Sequence, residues 1–208
     1  MLWLTQSMGS SIGKKILMAI TGLCFIGFLA AHLAGNLTIY GGKDAFNAYA
    51  EHLHALGIVL TVAEIGLLCL ALVHVAIGVI LFYENLTSRS TRYVVDRRAG
   101  GRTLGSATMP YTGILILLFV IGHLLNFSFV DKTHTTIYEI VVASFSNPIH
   151  VFLYVFAMIV VAVHVSHGFW SLFQTIGLNH PKYMPLIQGA GTVISLVFGI
   201  GFGFLPIY

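Results

Sequence analysis

Five long apolar stretches, separated by polar segments, dominate the pattern of hydrophobic positions along the chain. A helix needs about 20 apolar residues to cross the hydrocarbon core of a bilayer, and each stretch reaches that length. Helices satisfy their own backbone hydrogen bonds in lipid, so each stretch is predicted to be a transmembrane helix. The predicted spans are Ile16–Tyr40, Gly57–Tyr83, Tyr111–Val130, Ile149–Phe173 and Leu186–Leu205. We therefore expect an all-α integral membrane protein, a single domain formed by a five-helix bundle.

The composition also indicates a lipid environment. Of the 208 residues, 57% are hydrophobic and only 8% are charged, whereas soluble domains average about 25% charged residues. A soluble fold of this length could not bury so much apolar side chain. The formal charge of +3 is small and scattered, which argues against a nucleic-acid partner. Cys24 and Cys69 lie in apolar runs without a CxxC or CxxCH motif, so we expect neither a thiolate metal site nor a c-type haem attachment.

The polar connections between the spans predict the orientation. The connection Gly41–Leu56 is expected to form a short interfacial helix, and Glu84–Pro110 is rich in arginine. If the N-terminus is cytoplasmic, the basic residues on the inner side are Lys14, Lys15, Arg89, Arg92, Arg97, Arg98, Arg102 and Lys182. Only Lys43 and Lys132 then lie outside. This bias predicts a cytoplasmic N-terminus and an external C-terminus.

Four of the spans contain an interior histidine, which is costly in hydrocarbon unless the side chain is used. Since a helix rises about 1.5 Å per residue, His32 and His123 lie late in outward-running spans, in the outer leaflet. His74 and His164 lie late in inward-running spans, in the inner leaflet. Each layer offers two imidazoles and no carboxylate or thiolate to complete a bare metal site. The pattern favours two stacked b-type haems, each bound by two histidines.

Other polar groups at depth are further candidates. Glu64 lies about two turns inside the outer end of the second span, where a carboxyl suits proton exchange with a bound quinone. The alternative is a protonated carboxyl that is hydrogen-bonded to a helix neighbour or to a partner. Asn36 and Asn126 follow the outer histidines by about one turn and could bond a quinone carbonyl or satisfy one another. Because cations pair well with carboxylates, the candidates for contacts to haem propionates are Ser11, Lys14 and Arg89.

The remaining six histidines are not expected to bind haem iron. His167 lies one turn from His164 and is the one rival ligand, expected on the propionate side of the inner haem. The others lie in loops or at a helix start: His52, His54, His134, His150 and His180.

Short segments along nearly the whole chain support a family resemblance. They are SSIGKKILMAITGL, AAHLAGNL around His32, FNAYAEHLHALG, AEIGLLCLALVHVAIG, GHLLNF around His123, and HVSHGFWSLF. Together they resemble the membrane-anchor cytochrome b subunit of succinate:quinone oxidoreductases, which include succinate dehydrogenases and fumarate reductases. The resemblance is to the class with one five-helix polypeptide that binds two haems.

The resemblance implies a function, cofactors and partners. His74 and His164 would bind the proximal haem and His32 and His123 the distal haem. Electrons would pass between an iron–sulfur subunit and quinone, for which the resemblance implies menaquinone. The implied partners are an FAD-containing flavoprotein with the dicarboxylate site, the iron–sulfur subunit and membrane lipid. The resemblance is also compatible with a dimer of such three-subunit complexes (a dimer of heterotrimers). The implied location is the bacterial cytoplasmic membrane. Some members have a proton-carrying glutamate two residues before the last haem histidine, whereas this chain has Ala162.

Two alternative functions remain open from the sequence. The first is the dihaem anchor of a formate dehydrogenase, hydrogenase or nitrate reductase, whose histidines are distributed differently over the helices. The second is a proton-coupled transporter with a histidine relay. The spans show no obvious internal repeat and no clear inverted repeat or broken helix pair, which argues against the transporter.

Overall fold

The computed structural model describes residues 9–88 and 103–208. All regular secondary structure in these residues is helical. The seven α-helices of this part are α1 Ser11–Asn36, α2 Lys43–Ala55, α3 Ile58–Thr87, α4 Leu104–His123, α5 Ile137–Phe145, α6 Pro148–Thr175 and α7 Met184–Phe204. A 3₁₀ turn, Leu37–Gly41, continues α1, and a π-helical turn, Leu124–Ser128, continues α4. The arginines of the second connection, Arg89, Arg92, Arg97, Arg98 and Arg102, lie outside the described residues.

Five helical segments of the described chain are long and apolar enough to cross a membrane. They are Ser11–Gly41, Ile58–Thr87, Gly105–Ser128, Pro148–Thr175 and Met184–Phe204. This confirms the prediction of an all-α membrane protein with five spans. Large apolar side chains also cover the outside of the bundle, where Ile58 and Leu186 are each 74% exposed. Such a surface is stable in lipid and not in water.

Local sequence signals define most of the helix ends. Ser10 caps α1, since its Oγ accepts a hydrogen bond from Gly13 N at 3.1 Å. Two glycines with positive φ, Gly42 at 90° and Gly57 at 53°, flank α2. Glycine reaches this backbone region without the steric cost of a Cβ, so the chain can reverse on both sides of the short helix. The short helix predicted within Gly41–Leu56 is present as α2.

The third span starts earlier than predicted. We expected it to begin at Tyr111, after Pro110, but α4 begins at Leu104 and includes Pro110 in its interior. Thr103 caps the helix, because its Oγ1 accepts a hydrogen bond from Ser106 N at 3.1 Å. The cap and the apolar environment outweigh the one hydrogen bond that proline removes.

The third connection contains a helix that the sequence analysis did not predict. Helix α5 begins with a capping box, in which Thr136 Oγ1 accepts from Glu139 N and the Glu139 carboxylate accepts from Thr136 N. The signal was present in the sequence as T-x-x-E before an apolar run, TTIYEIVVASF. The sequence analysis assigned no element to this connection.

Helix α6 lies at the centre of the bundle and packs against α1, α4 and α7. A buried cluster joins α6 to α1 and α7 and consists of Leu33, Ala157, Met158, Val161, Val165, Phe198 and Phe202. Helices α6 and α7 approach closely at Gly199, where a Cβ would lie 3.0 Å from Ala162 Cβ and 3.6 Å from Met158 O. Small residues at such a contact increase the packing that stabilises helix pairs in lipid.

We predict that Gly199→Leu destabilises the bundle by about 1–3 kcal/mol, because the larger side chain must displace α6. The thermal unfolding midpoint in detergent, followed by circular dichroism, measures the effect. Gly189→Leu on the same helix is the matched control, since a Cβ at Gly189 would meet no atom within 4 Å. Equal midpoints for the two variants would contradict the packing described above.

Candidate functional site

Two histidines from different spans meet in the outer half of the bundle. The ring centroids of His32 on α1 and His123 on α4 are 5.9 Å apart, and the two rings are nearly perpendicular at 89°. We call this half outer because the predicted charge distribution places it away from the cytoplasm; it is also the half next to α2 and α5. The structure thus brings together the pair that the depth estimate assigned to one leaflet.

Aromatic side chains surround the outer pair. Phe28 stacks on His32 with centroids 5.2 Å apart, and Phe119 lies 5.8 Å from His123. Rings of Phe127, Tyr154 and Phe202 complete the enclosure. Nδ1 of His123 is buried, and no described residue gives it a hydrogen-bond partner. A buried polar atom without a partner is costly, so this position calls for an explanation.

In the inner half, each histidine contacts a threonine on a neighbouring span. His74 Nδ1 on α3 lies 2.8 Å from Thr21 Oγ1 on α1. His164 Nδ1 on α6 lies 3.0 Å from Thr112 Oγ1 on α4. The two inner histidines are therefore each tied to another span of their own half of the chain, His74 to α1 and His164 to α4.

The two layers arise from an internal repeat that the sequence analysis missed. Spans α1 and α4 both contain T-G-x₅-F-x₃-H, as Thr21 to His32 and as Thr112 to His123. Spans α3 and α6 both contain H-V-x₂-G, which begins at His74 and at His164. In each half the threonine touches the later histidine of the same half. Comparison of the flanks of the four histidines would have revealed the repeat, because the spacing within the first motif is identical.

The repeat also sets the distance between the layers. Along α1 and along α4, the threonine that touches an inner histidine precedes the outer histidine by 11 residues. Eleven residues of α-helix rise about 16 Å. The two histidine pairs are therefore separated by roughly half of the hydrocarbon core, which is about 30 Å thick.

The donors of the outer pair fit a haem, whose iron His32 and His123 would hold. The two imidazoles come from different helices and lie close together, with ring centroids 5.9 Å apart. Among the described residues, no three or more His, Cys, Asp or Glu side chains converge in a way that could hold a metal ion. Two nitrogen donors in a layer suit an iron whose other four ligands come from a porphyrin.

Next to His123 the helix widens and a cavity opens. The π turn Leu124–Ser128 follows His123 directly, with Phe129 N donating to Leu124 O at 2.9 Å. Such π-helical turns are frequent at functional sites. The cavity has a volume of about 370 Å³ and is lined by this turn, α5 and the start of α6. Its polar lining residues are Asn126, Thr135, Glu139, Ser144 and His150.

The two asparagines predicted near the outer histidines do not bond to each other. Asn36 Nδ2 donates to His32 O on its own helix at 2.8 Å. Asn126 Nδ2 donates to the Tyr154 hydroxyl at 3.3 Å. The alternative in which Asn36 and Asn126 satisfy one another is therefore not the arrangement found, because each side-chain amide donates elsewhere. Of the two, Asn126 lines the cavity.

The predicted propionate contacts have different surroundings. Ser11 is exposed in the first turn of α1. Lys14 forms an ion pair with Glu84 and so links the inner ends of α1 and α3. Arg89 lies outside the described residues.

Glu64 lies on an exposed face of α3 and does not line the cavity. Its carboxyl makes no hydrogen bond or ion pair with any residue that the structure describes. The alternative of a carboxyl bonded to a neighbour within the chain is therefore not realised in the described part.

The two other histidines of α6 make contacts of their own. His167 Nδ1 lies 3.4 Å from Thr103 Oγ1, and the His167 ring meets the Trp170 ring edge-on at 4.8 Å. His150 Nδ1 lies 3.3 Å from Ser144 Oγ at the edge of the cavity. His167 thus lies at the inner end of α6, where α4 begins.

A clamp between α2 and α5 covers the outer end. Lys43 Nζ donates to Glu139 Oε1 at 2.8 Å, and Tyr138 N donates to Asn47 Oδ1 at 3.1 Å. The hydrogen bond from Lys43, with those from Thr136, lowers the pKa of Glu139 to about 2. The same contact raises the pKa of Lys43. The carboxyl pKa is depressed in the folded state. The stabilisation that the clamp provides is therefore complete above the ordinary glutamate pKa of 4.5 and is lost as the pH falls toward 2.

We predict that Lys43→Met moves the pKa of Glu139 up toward 4.5, so that the folded and ordinary pKa values of this carboxyl lie closer together. Glutamate labelled with ¹³C at the side-chain carboxyl gives at most four signals, from Glu51, Glu64, Glu84 and Glu139, which makes the titration readable by NMR in detergent. Lys132→Met is the matched control, because Lys132 donates to Ser128 O and not to Glu139. A Glu139 titration that is the same in both variants would show that no clamp forms.

Comparisons with protein-family models, with curated proteins and with solved structures give no match to this chain.

Proposed function

We propose that the chain is a dihaem membrane-anchor cytochrome b of the succinate:quinone oxidoreductase type, which transfers electrons across the membrane to or from quinone. The observation that supports the proposal best is the outer pair, His32 and His123, whose rings lie 5.9 Å apart on separate spans. A second pair on two further spans, His74 and His164, lies in the inner half. Two such layers form a path along the membrane normal.

The residues of the chain would bind and orient the two cofactors. His32 and His123 would hold the outer haem, and His74 and His164 the inner haem. Haem bound in this way supplies one-electron transfer, with a potential that depends on ligand identity, hydrogen bonding and burial. The apolar and aromatic surroundings of the outer pair would exclude water from it. Exclusion of water strengthens the electrostatic influence of each remaining polar group.

The proposal requires soluble partners. The chain has neither a dinucleotide-binding motif nor a cysteine cluster, so oxidation of a dicarboxylate or reduction of one would take place on a flavoprotein subunit. An iron–sulfur subunit would connect that flavoprotein to the inner haem. This part of the proposal rests on the family resemblance of the sequence.

The outer cavity is the proposed quinone site. Its volume of about 370 Å³ lies within the usual range for small-molecule sites, about 300–1,000 Å³. Four of its nine lining residues are apolar and five are polar, which would suit a quinone ring and its two carbonyls. Asn126 belongs to this lining and follows His123 by three residues. A quinone bound there would be next to the outer haem.

Quinone chemistry on the outer side would couple electron transfer to the membrane potential. Each electron that passes from the inner face to the outer layer moves through the transmembrane field. A full crossing corresponds to about 2.3 kcal/mol per charge for 100 mV. The inner and outer haem layers would carry the electrons through this field.

We predict that the reduced-minus-oxidised spectrum of the purified protein shows two b haems. His32→Ala and His123→Ala should each remove the same haem, and His74→Ala and His164→Ala should each remove the other, because loss of one axial ligand weakens its own site. Spectra combined with a redox titration distinguish the two haems. His180→Ala, in a loop beyond α6, is the control and should retain both.

One haem or none in the unchanged protein would rule out the proposed function. Two haems with crossed losses, in which His32→Ala and His74→Ala remove the same haem, would overturn the pairing and leave the cytochrome assignment intact.

A second prediction concerns the cavity. Asn126→Leu should raise the KM for quinone about tenfold, which corresponds to about 1.4 kcal/mol and is typical of one lost hydrogen bond to a ligand. Asn36→Leu should change it far less, because Asn36 does not line the cavity. Tyr154→Phe controls for loss of the Asn126–Tyr154 bond. A larger effect at Asn36 than at Asn126 would move the quinone site away from this cavity.

Glu64 remains a separate prediction, because it does not line the cavity. If its carboxyl exchanges protons with quinone, Glu64→Gln should slow quinone turnover. Unchanged turnover would assign the carboxyl a structural role.

A further inference from the structure

We infer that Thr21 and Thr112 are positioning residues that fix the tautomer of the two inner histidines, so that Nε2 of His74 and Nε2 of His164 are the nitrogens available to iron. The inference rests on the proposed haem function. It goes further by assigning a role to two threonines and by distinguishing the inner haem site from the outer one.

The geometry at Thr21 defines which partner donates. Its hydroxyl oxygen lies 2.8 Å from Leu17 O and 3.1 Å from Met18 O on its own helix, and 2.8 Å from His74 Nδ1. A hydroxyl has one hydrogen and two lone pairs. We assign the hydroxyl hydrogen to the two carbonyls, because they can only accept and both lie within bonding distance. The oxygen then faces His74 with a lone pair, and Nδ1 must be the donor.

Thr112 repeats this arrangement on the other half of the chain. Its hydroxyl oxygen lies 3.1 Å from both Thr108 O and Met109 O, and 3.0 Å from His164 Nδ1. Thr21 and Thr112 are also both buried, at 4% and 8% exposure, so water does not compete for these bonds. Two independent contacts with the same atoms in the same roles indicate a built feature and not a chance contact.

The consequence for the ring follows from imidazole chemistry. In a neutral imidazole one nitrogen is a donor and the other has a free lone pair. With the hydrogen on Nδ1, the lone pair is on Nε2, and a hydrogen bond from the other nitrogen orients the ring and makes it a stronger ligand. The glycine that follows each threonine lies against the same ring, since a Cβ at Gly22 or Gly113 would lie 3.7 Å from Cε1 of His74 or His164.

The outer pair has no such partner. Nδ1 of His123 is buried without a hydrogen bond to any described residue. His32 Nδ1 lies 3.4 Å from Asn36 Nδ2, an amide that already donates to His32 O at 2.8 Å. The threonine of each repeat therefore acts on the inner layer alone. Changes at the two threonines should affect one haem and leave the other unchanged.

The test is potentiometric titration of both haems in the purified protein, with low-temperature electron paramagnetic resonance of the ferric state. Thr21→Val and Thr112→Val keep the side-chain shape and remove the acceptor for the Nδ1 hydrogen. A hydrogen bond from Nδ1 increases electron donation to ferric iron, so its loss should favour the ferrous state. We expect up to about a tenfold change in the ferric-to-ferrous ratio of the inner haem, equivalent to about 59 mV more positive for one electron.

Conservative and matched control variants make the result specific. Thr21→Ser and Thr112→Ser retain the hydroxyl and should restore the inner midpoint and the ferric spectrum. Thr192→Val on α7 removes a threonine that donates only to Gln188 O on its own helix, and it should shift neither haem. Loss of the inner haem in a valine variant and its retention in the serine variant would support the inference equally.

Three outcomes would overturn the inference. The first is an inner midpoint and spectrum unchanged in both valine variants, and the second is a serine variant that behaves like valine. The third is a shift of the outer haem equal to that of the inner haem. Failure of the proposed function is recognised separately, because the unchanged protein would then contain no pair of b haems to titrate.

Discussion

The constraint on which this bundle depends is the cost of a histidine ring inside lipid. Each of the four interior rings contacts a side chain on a different helix, although Nδ1 of His123 has no hydrogen-bond partner among the described residues. The contacts link α1 to α3 through His74, α4 to α6 through His164, and α1 to α4 through His32 and His123. Four of the five spans are therefore joined through imidazole. The fifth, α7, is held to α6 by apolar packing and by the close approach at Gly199.

The repeat explains why there are two layers and why they differ. A threonine at the inner level and a histidine at the outer level occur on the same helix, so the two halves of the chain each contribute to both layers. The inner rings are oriented by hydroxyl groups, whereas the outer rings are enclosed by phenylalanines.

The outer end combines a covered surface with an open cavity. The π turn after His123 and the capped helix α5 create the cavity, and the Lys43–Glu139 clamp fixes α5 against α2. Glu139 takes part in both features, because its carboxylate receives the Lys43 bond and also lines the cavity. The charge state of the clamp and the shape of the proposed quinone site are therefore linked by one side chain.

The sequence by itself determined the number of spans, their approximate ends and the level of each histidine, because hydrophobic length and helical rise are local properties of the chain. It did not determine which face of each helix meets which neighbour. The contacts of Thr21 and Thr112, the bond of Asn126 to Tyr154 and the ion pair of Lys14 with Glu84 all depend on helix rotation, which only the packing of all five spans decides. The cavity beside His123 depends further on a change from α to π geometry, and hydrophobic periodicity contains no signal for that change.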